Sequence, residues 1–183
     1  KWRLARVNQA LGLDPETPLA FINARGKSLA DVYEAAARTA EMHSCDVIFL
    51  DSISRSGFGD LNENAPANRI IDSLNRLAPT WLAVAHTPRQ DETHIYGSVH
   101  FDAGEDIGCG LLAQTSIDGL HTGIGLRIDK ANDLPRHLPI EVHAMDWDQR
   151  GLVGIRRSSV REFPQLAAAQ QMDVADLARE YLL

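Results

Sequence analysis

Two short apolar runs stop abruptly on polar residues, and this pattern constrains the fold more than any other in the chain. "CDVIFLD", residues 45 to 51, is a fully apolar strand that ends on Asp51. "WLAVAH", residues 81 to 86, ends on His86. Helical patterns precede and separate them, over Leu29–His43 and from about Ala65 to Leu77. Strands alternating with helices predict an α/β domain with a mostly parallel sheet flanked by helices. In open α/β sheets, ligands bind beyond the carboxyl ends of the strands. Three strand ends are expected at that edge: Asp51-Ser52, His86-Thr87 and Asp129-Lys130.

The other elements follow from the same reading. A helix is expected over Trp2–Leu11, closed by Gly12 as a C-cap, then a strand over Leu19–Asn23. A Gly- and Asn-rich loop, "SRSGFGDLNEN", follows Asp51, and a polar loop, "TPRQDETHIYGS", follows His86. A short helix is expected over Phe101–Asp106. Beyond residue 107, hairpin-like strands predict an antiparallel extension at one edge: "IGCGLLAQTS", "GIGLRID", "IEVHAMDW" and "LVGIRR". Turns at Asp118-Gly119 and Asp148–Gly151 and a loop around Pro135 join them. From Val160 the tail reads as helical, with a break near Met172-Asp173. The expected division is a domain over residues 1–157 and a helical tail over 158–183, docked or opening a helix-turn-helix.

"LAFINARGKSLADV" contains Gly26-Lys27-Ser28, the ending of a phosphate-binding P-loop. That motif needs a glycine five positions before its Gly-Lys, and Phe21 stands there. The glycines let the loop curl its N–H groups around phosphate oxygens. Only Ala24 and Arg25 separate the expected strand from Gly26, too short a turn for such a cradle. The stretch therefore reads as a strand-to-helix turn, with Ser28 as N-cap and Asp31 at the third helical position.

With 183 residues, 44% hydrophobic and 23% charged, the chain has the composition of an ordinary globular protein. No apolar run approaches the roughly 20 residues that span a bilayer. With no signal peptide pattern, a cytoplasmic location and no membrane partner are expected. Cys45 and Cys109 lie in apolar runs and read as buried free thiols. The chain opens on Lys1 rather than Met, which suggests a cut N-terminus. A net charge of −7 argues against a surface coated for nucleic acid, but leaves room for a local basic contact. Basic residues cluster in "KWRLAR" and "IRRSSVR", read as solvated faces.

Asp51 has the form of a Walker B acid, which binds Mg²⁺ beside the phosphates of a nucleotide, or else caps the next loop. His86 can touch a γ-phosphate, or stand idle at a sheet edge. Lys130 and Asn132, in "RIDKANDLP", sit just past a strand, where the lysine could reach a phosphate or simply be solvated. His94, His100, His121, His137 and His143 show no metal-ligand spacing, so no zinc site is expected.

Taken together, "DVIFLDSISR", "DLNENAPANRIIDSLNRLA", "WLAVAHT", "YGSVHFDAGED" and "DKAND" resemble the RecA-like ATPase core of hexameric replicative helicases of the plasmid RepA type. The resemblance covers about residues 3 to 155. Its distinctive parts are the acidic, Asn-rich "GDLNENA", the strand-end His-Thr, Gly97-Ser98 opening a helix, and Lys-Ala-Asn before a proline-containing loop.

The resemblance implies a RecA-like fold and ATP hydrolysis at subunit interfaces, coupled to movement along single-stranded DNA. By this carry-over Asp51 holds Mg²⁺, with Ser52 beside it at the nucleotide. His86 senses the γ-phosphate, and Lys130 with Asn132 form the Lys-x-Asn motif near the subunit boundary. The loop Thr87–Tyr96 faces single-stranded DNA, with Arg89 on phosphate and His94 or Tyr96 against a base. ATP and Mg²⁺ are the implied cofactors, and a homo-hexameric ring the implied assembly. Asn132 stands where DnaB-type relatives carry an arginine finger, leaving Arg127 or Arg136 as candidates. The family's Walker A loop, with its central strand, and its catalytic glutamate lie ahead of the part that matches Trp2–Asp14, so this chain alone is expected to be inactive. The competing readings are a non-catalytic, degenerate module that oligomerises or regulates, and a small-molecule hydrolase using Asp51 and His86. The last is disfavoured because no nucleophile sits in a Gly-x-Ser-x-Gly turn.

Overall fold

The computed structural model describes residues 2–57, 59–88, 95–134 and 138–166. The chain divides into two compact units, one of residues 19–105 and one of residues 1–18 with 106–183.

The first unit is built on a single strand–helix–strand crossover. Helix α2 (Leu29–Met42) precedes strand β1 (Val47–Asp51), then a 3-10 turn (Ile53–Arg55), α3 (Asn64–Leu77), β2 (Thr80–Val84) and the short α4 (His100–Gly104). β1 and β2 pair in parallel, with Phe49 opposite Leu82 and Asp51 opposite Val84. Successive side chains alternate between faces. Ile48, Leu50, Trp81, Ala83 and Ala85 turn inward onto Leu29, Val32, Ile70, Leu74 and Leu77. Burying a leucine or isoleucine such as Ile70 or Leu74 contributes about 1.5–3 kcal/mol. Trp81 keeps its polar edge satisfied by donating from Nε1 to Asn75 Oδ1 at 2.8 Å. Val47, Phe49, Leu82 and Val84 lie on the opposite, exposed face.

In the second unit, α1 (Trp2–Ala10) lies against a four-stranded antiparallel sheet in the order β3 (Ile107–Thr115), β4 (His121–Ala131), β5 (Glu141–Asp148), β6 (Gly151–Ser158). Gly12, at φ +72°, ends α1 as expected: its N–H reaches Gln9 and that of Leu13 reaches Asn8, the paired bonds of a Schellman cap. Val142 and Ala144 form the core with Phe163 and Leu166. These last two belong to the stretch read as a tail. It turns over residues 160–163 and enters helix at 164–166, and the break expected near Met172-Asp173 lies outside the described residues.

The expected fold class is therefore corrected. Among the described residues the parallel sheet has two strands, and the antiparallel strands form a separate sheet rather than an extension at its edge. That is not a RecA-like, mostly parallel sheet flanked by helices. The reason is connection length: a parallel return needs a crossover of roughly a dozen residues or more. Residues 52–79 supply one, whereas the turns at 116–120 and 149–150 are too short and force antiparallel returns. The strand expected at Leu19–Asn23 does not form either. Leu19 and Phe21 are exposed, and Asn23 Oδ1 accepts from the Arg25 N–H to bend the chain. The remaining elements match the expected ones, mostly to within a residue or two at their ends.

Candidate functional site

The parallel pair brings Asp51 and His86 together. Asp51 is the last residue of β1, paired with Val84, and His86 follows Val84 by two residues. Residues 80, 82, 84 and 86 alternate onto the same exposed face as residues 47, 49 and 51. Both side chains thus stand at the carboxyl end of adjacent strands, open to solvent. Ser52, by contrast, is buried, and its hydroxyl shares a 2.9 Å hydrogen bond with that of Ser54.

Lys130 is not at this edge. It lies in β4 of the antiparallel sheet, opposite Gly108, in the other unit. The expectation that three strand ends share one sheet fails there because β4 leaves a hairpin, not a crossover. Asn132 is tied to the start of β3: its N–H reaches the Asp106 carbonyl at 3.0 Å and its Nδ2 reaches Asp106 Oδ1 at 2.9 Å. Arg127 is paired with Asp129 at 2.5 Å. Arg89, His94 and Arg136 lie outside the described residues.

Gly26-Lys27-Ser28 forms no phosphate cradle. The amides of Lys27, Ser28 and Leu29, which a P-loop would turn to phosphate, all have partners within the chain. The Lys27 N–H goes to the Ala24 carbonyl at 2.9 Å, and the Leu29 N–H to the Ser56 carbonyl at 2.8 Å. The Ser28 N–H goes to Asp31 Oδ2 at 2.8 Å, and the Asp31 N–H to the Ser28 hydroxyl at 3.2 Å. This is a capping box, as the sequence predicts, with Asp31 in the role more often taken by Glu. The Ser28 hydroxyl and N–H hold the Asp31 carboxyl below its usual range, helped by Lys27.

The loop after β2 is held by contacts the sequence did not reveal. The Tyr96 N–H donates to the His86 carbonyl at 2.8 Å. The Ser98 N–H donates to the Leu61 carbonyl at 2.7 Å, and its hydroxyl to Asn64 Oδ1 at 2.8 Å. His100 Nδ1 shares a 2.8 Å bond with Asn68 Oδ1. Asn64 and Asn68 are four apart on α3 and so share a face. "GDLNENA" and Gly97-Ser98, each noted separately in the sequence, are thus one structure. Gly97 is required in it. Its φ is +122°, and a Cβ there would meet the Leu61 carbonyl oxygen at 2.8 Å.

Between these parts lies a cleft of about 480 Å³, bounded by Ile53, Leu61, Pro88 and Tyr96, with Ser54 and the His86–Thr87 strand end also exposed to it. Its size falls within the roughly 300–1,000 Å³ of small-molecule sites. Among the described residues, no group of three His, Cys, Asp or Glu side chains could hold a metal ion. A Mg²⁺ bound to nucleotide needs less, one or two carboxylates with phosphates and waters completing its shell. Asp51, exposed at a strand end, fits that requirement. Neither Cys45 nor Cys109 is buried as expected: Cys45 is half-buried, and Cys109 is exposed, because it falls on the open face of β3. Among the described residues, no helix is long and apolar enough to cross a membrane.

No protein-family model matches the chain, and no curated protein matches it.

Proposed function

We propose that this chain carries part of the machinery of an ATP-hydrolysing, DNA-translocating protein of the replicative helicase type. The observation that supports the reading is the pairing of Asp51 and His86 on one face at the carboxyl ends of adjacent parallel strands. Mg²⁺ at Asp51 would neutralise charge on the β- and γ-phosphates of ATP. His86, beside it, would contact the terminal phosphate. Its carbonyl is bonded to the Tyr96 N–H, so a shift of the strand end reaches the base of the following loop directly. That loop is the proposed contact with single-stranded DNA. The reading draws no phosphate cradle from Gly26–Ser28. It assigns Lys130 a phosphate contact across a boundary between copies, in an oligomer where ATP is hydrolysed.

The test uses Mn²⁺ in place of Mg²⁺. Mn²⁺ with ATP is added to the 183-residue chain, and the imidazole proton resonances of His86 are followed by NMR. Selective broadening of His86, lost in Asp51→Asn, is the expected result. Broadening that is absent, or that survives Asp51→Asn, would rule out a metal–nucleotide site at these strand ends.

A further inference from the structure

We infer that residues 159–166 form an exchangeable strap, which docks across the four-stranded sheet of its own chain or of a second copy. The partner that this sheet face fits is therefore another copy of the same chain.

The groove that receives the strap is built by residue spacing. Gly123 and Gly125 are two apart on β4, so they face the same side of the sheet. A Cβ on Gly123 would lie 2.3 Å from the Phe163 ring. A Cβ on Gly125 would lie 3.5 Å from a Leu166 methyl and 3.1 Å from Ile140. The two missing side chains thus leave hollows, and Val142 and Ala144 of β5 pack with the two residues that fill them. Phe163 and Leu166 are buried there at 2% and 3% exposure. Polar contacts set the direction of the strap. The Gln165 N–H donates to Gln114 Oε1 on β3 at 2.8 Å. Glu162 Oε2 accepts from Arg156 Nη1 at 2.9 Å and from the Ser158 hydroxyl at 2.6 Å.

These contacts suit exchange. All the anchors lie between Glu162 and Leu166, and the strap joins the sheet at Ser158, the last residue of β6. A second copy presents the same Gly123, Gly125, Gln114, Arg156 and Ser158, so each anchor re-forms there unchanged. What exchange gives up is the turn itself, in which the Glu162 and Phe163 N–H groups reach the Ser159 carbonyl at 3.1 and 3.3 Å. A strap that opens exposes Phe163 and Leu166 to water, and a neighbour's groove is already shaped to rebury them. Each copy then gives one strap and receives one, which closes the assembly as a two-fold dimer.

Cross-linking between two differently marked chains tests this. All chains carry Cys45→Ser and Cys109→Ser. A Gln114→Cys chain is mixed with a Gln165→Cys chain at about 0.1 mM, and a short bis-maleimide is added. A covalent dimer joining positions 114 and 165, identified by mass spectrometry, is expected. Docking holds the two thiols at an effective concentration in the millimolar range, so the yield should be about tenfold that of Gln114→Cys mixed with Met42→Cys, an exposed position outside the strap. A chain with both Gln114→Cys and Gln165→Cys gives the reference for docking within one chain. Linkage within that chain, with no more dimer from the mixture than from the Met42→Cys control, would overturn exchange. Linkage in neither would overturn the docked strap itself. Excess synthetic peptide of residues 159–166 should lower the dimer yield, and the same peptide with Phe163→Ala should not. A dimer that the first peptide leaves unchanged would be joined outside the groove, and would also overturn the assignment.

Discussion

The main-chain N–H of Tyr96 donates to the carbonyl of His86 at 2.8 Å. One residue later, Gly97 passes so close to the Leu61 carbonyl that no side chain fits. Gly97→Ala should therefore cost about 1–3 kcal/mol, the scale for a residue held in a sparsely populated conformation. Ser98→Ala removes two bonds, the one its hydroxyl donates to Asn64 and the one it accepts from the His100 N–H, and should cost about 1–3 kcal/mol. Urea unfolding of the two variants measures both costs. A Gly97→Ala chain as stable as the parent would contradict the close approach.

The 183-residue chain should not hydrolyse ATP through Gly26-Lys27-Ser28, because the Lys27 and Ser28 amides are already bonded within the chain. Ser28→Ala should instead destabilise the chain by roughly 0.5–2 kcal/mol, the usual loss of an N-cap. Lys27→Ala should leave nucleotide binding unchanged. Steady ATP turnover by this chain, abolished by Lys27→Ala, would overturn the capping assignment.

Glu162 should make the stability of its unit depend on pH in acid. Arg156 and then Ser158 hold its carboxyl down, from 4.5 to about 2. A carboxyl with a depressed folded pKa contributes stability that is full above the unfolded value and is lost as pH falls through the folded one. The loss should therefore run from about pH 5 down towards pH 2. Thermal unfolding of Glu162→Gln should be lower than that of the parent at pH 6 and converge with it across this window. The groups are exposed, so added salt should shrink the difference. Parallel curves at all pH values would show that the Arg156–Glu162 pair contributes nothing.

Arg89 gives the single-strand reading a salt-dependent signature. If it contacts a phosphate, Arg89→Ala should reduce the slope of log affinity against log salt by about 0.7, the value for one contact on a single strand. Anisotropy titrations at two salt concentrations measure this. An unchanged slope would remove Arg89 from the interface.

The sequence alone determined the features that depend on bonds between near neighbours. Ser28 and Asp31 form their box within one helical turn, and Gly12 closes α1 within five residues, so residue type and spacing suffice. The same holds for the apolar runs that become β1 and β2. Their carboxyl-end residues, Asp51 and His86, meet because one helix-length connection lets two strands pair in parallel. Tertiary structure decided the rest. "LAFIN" alternates like a strand, but alternation cannot specify a partner, and Leu19 and Phe21 remain exposed. Lys130 falls on a different sheet from Asp51 because strand direction follows from connection length, which apolar runs do not encode. Asn64 and Asn68 hold Ser98 and His100 across more than thirty residues of chain. Amide and hydroxyl side chains find such partners only once packing has brought the segments together, and no local pattern marks the pairing in advance.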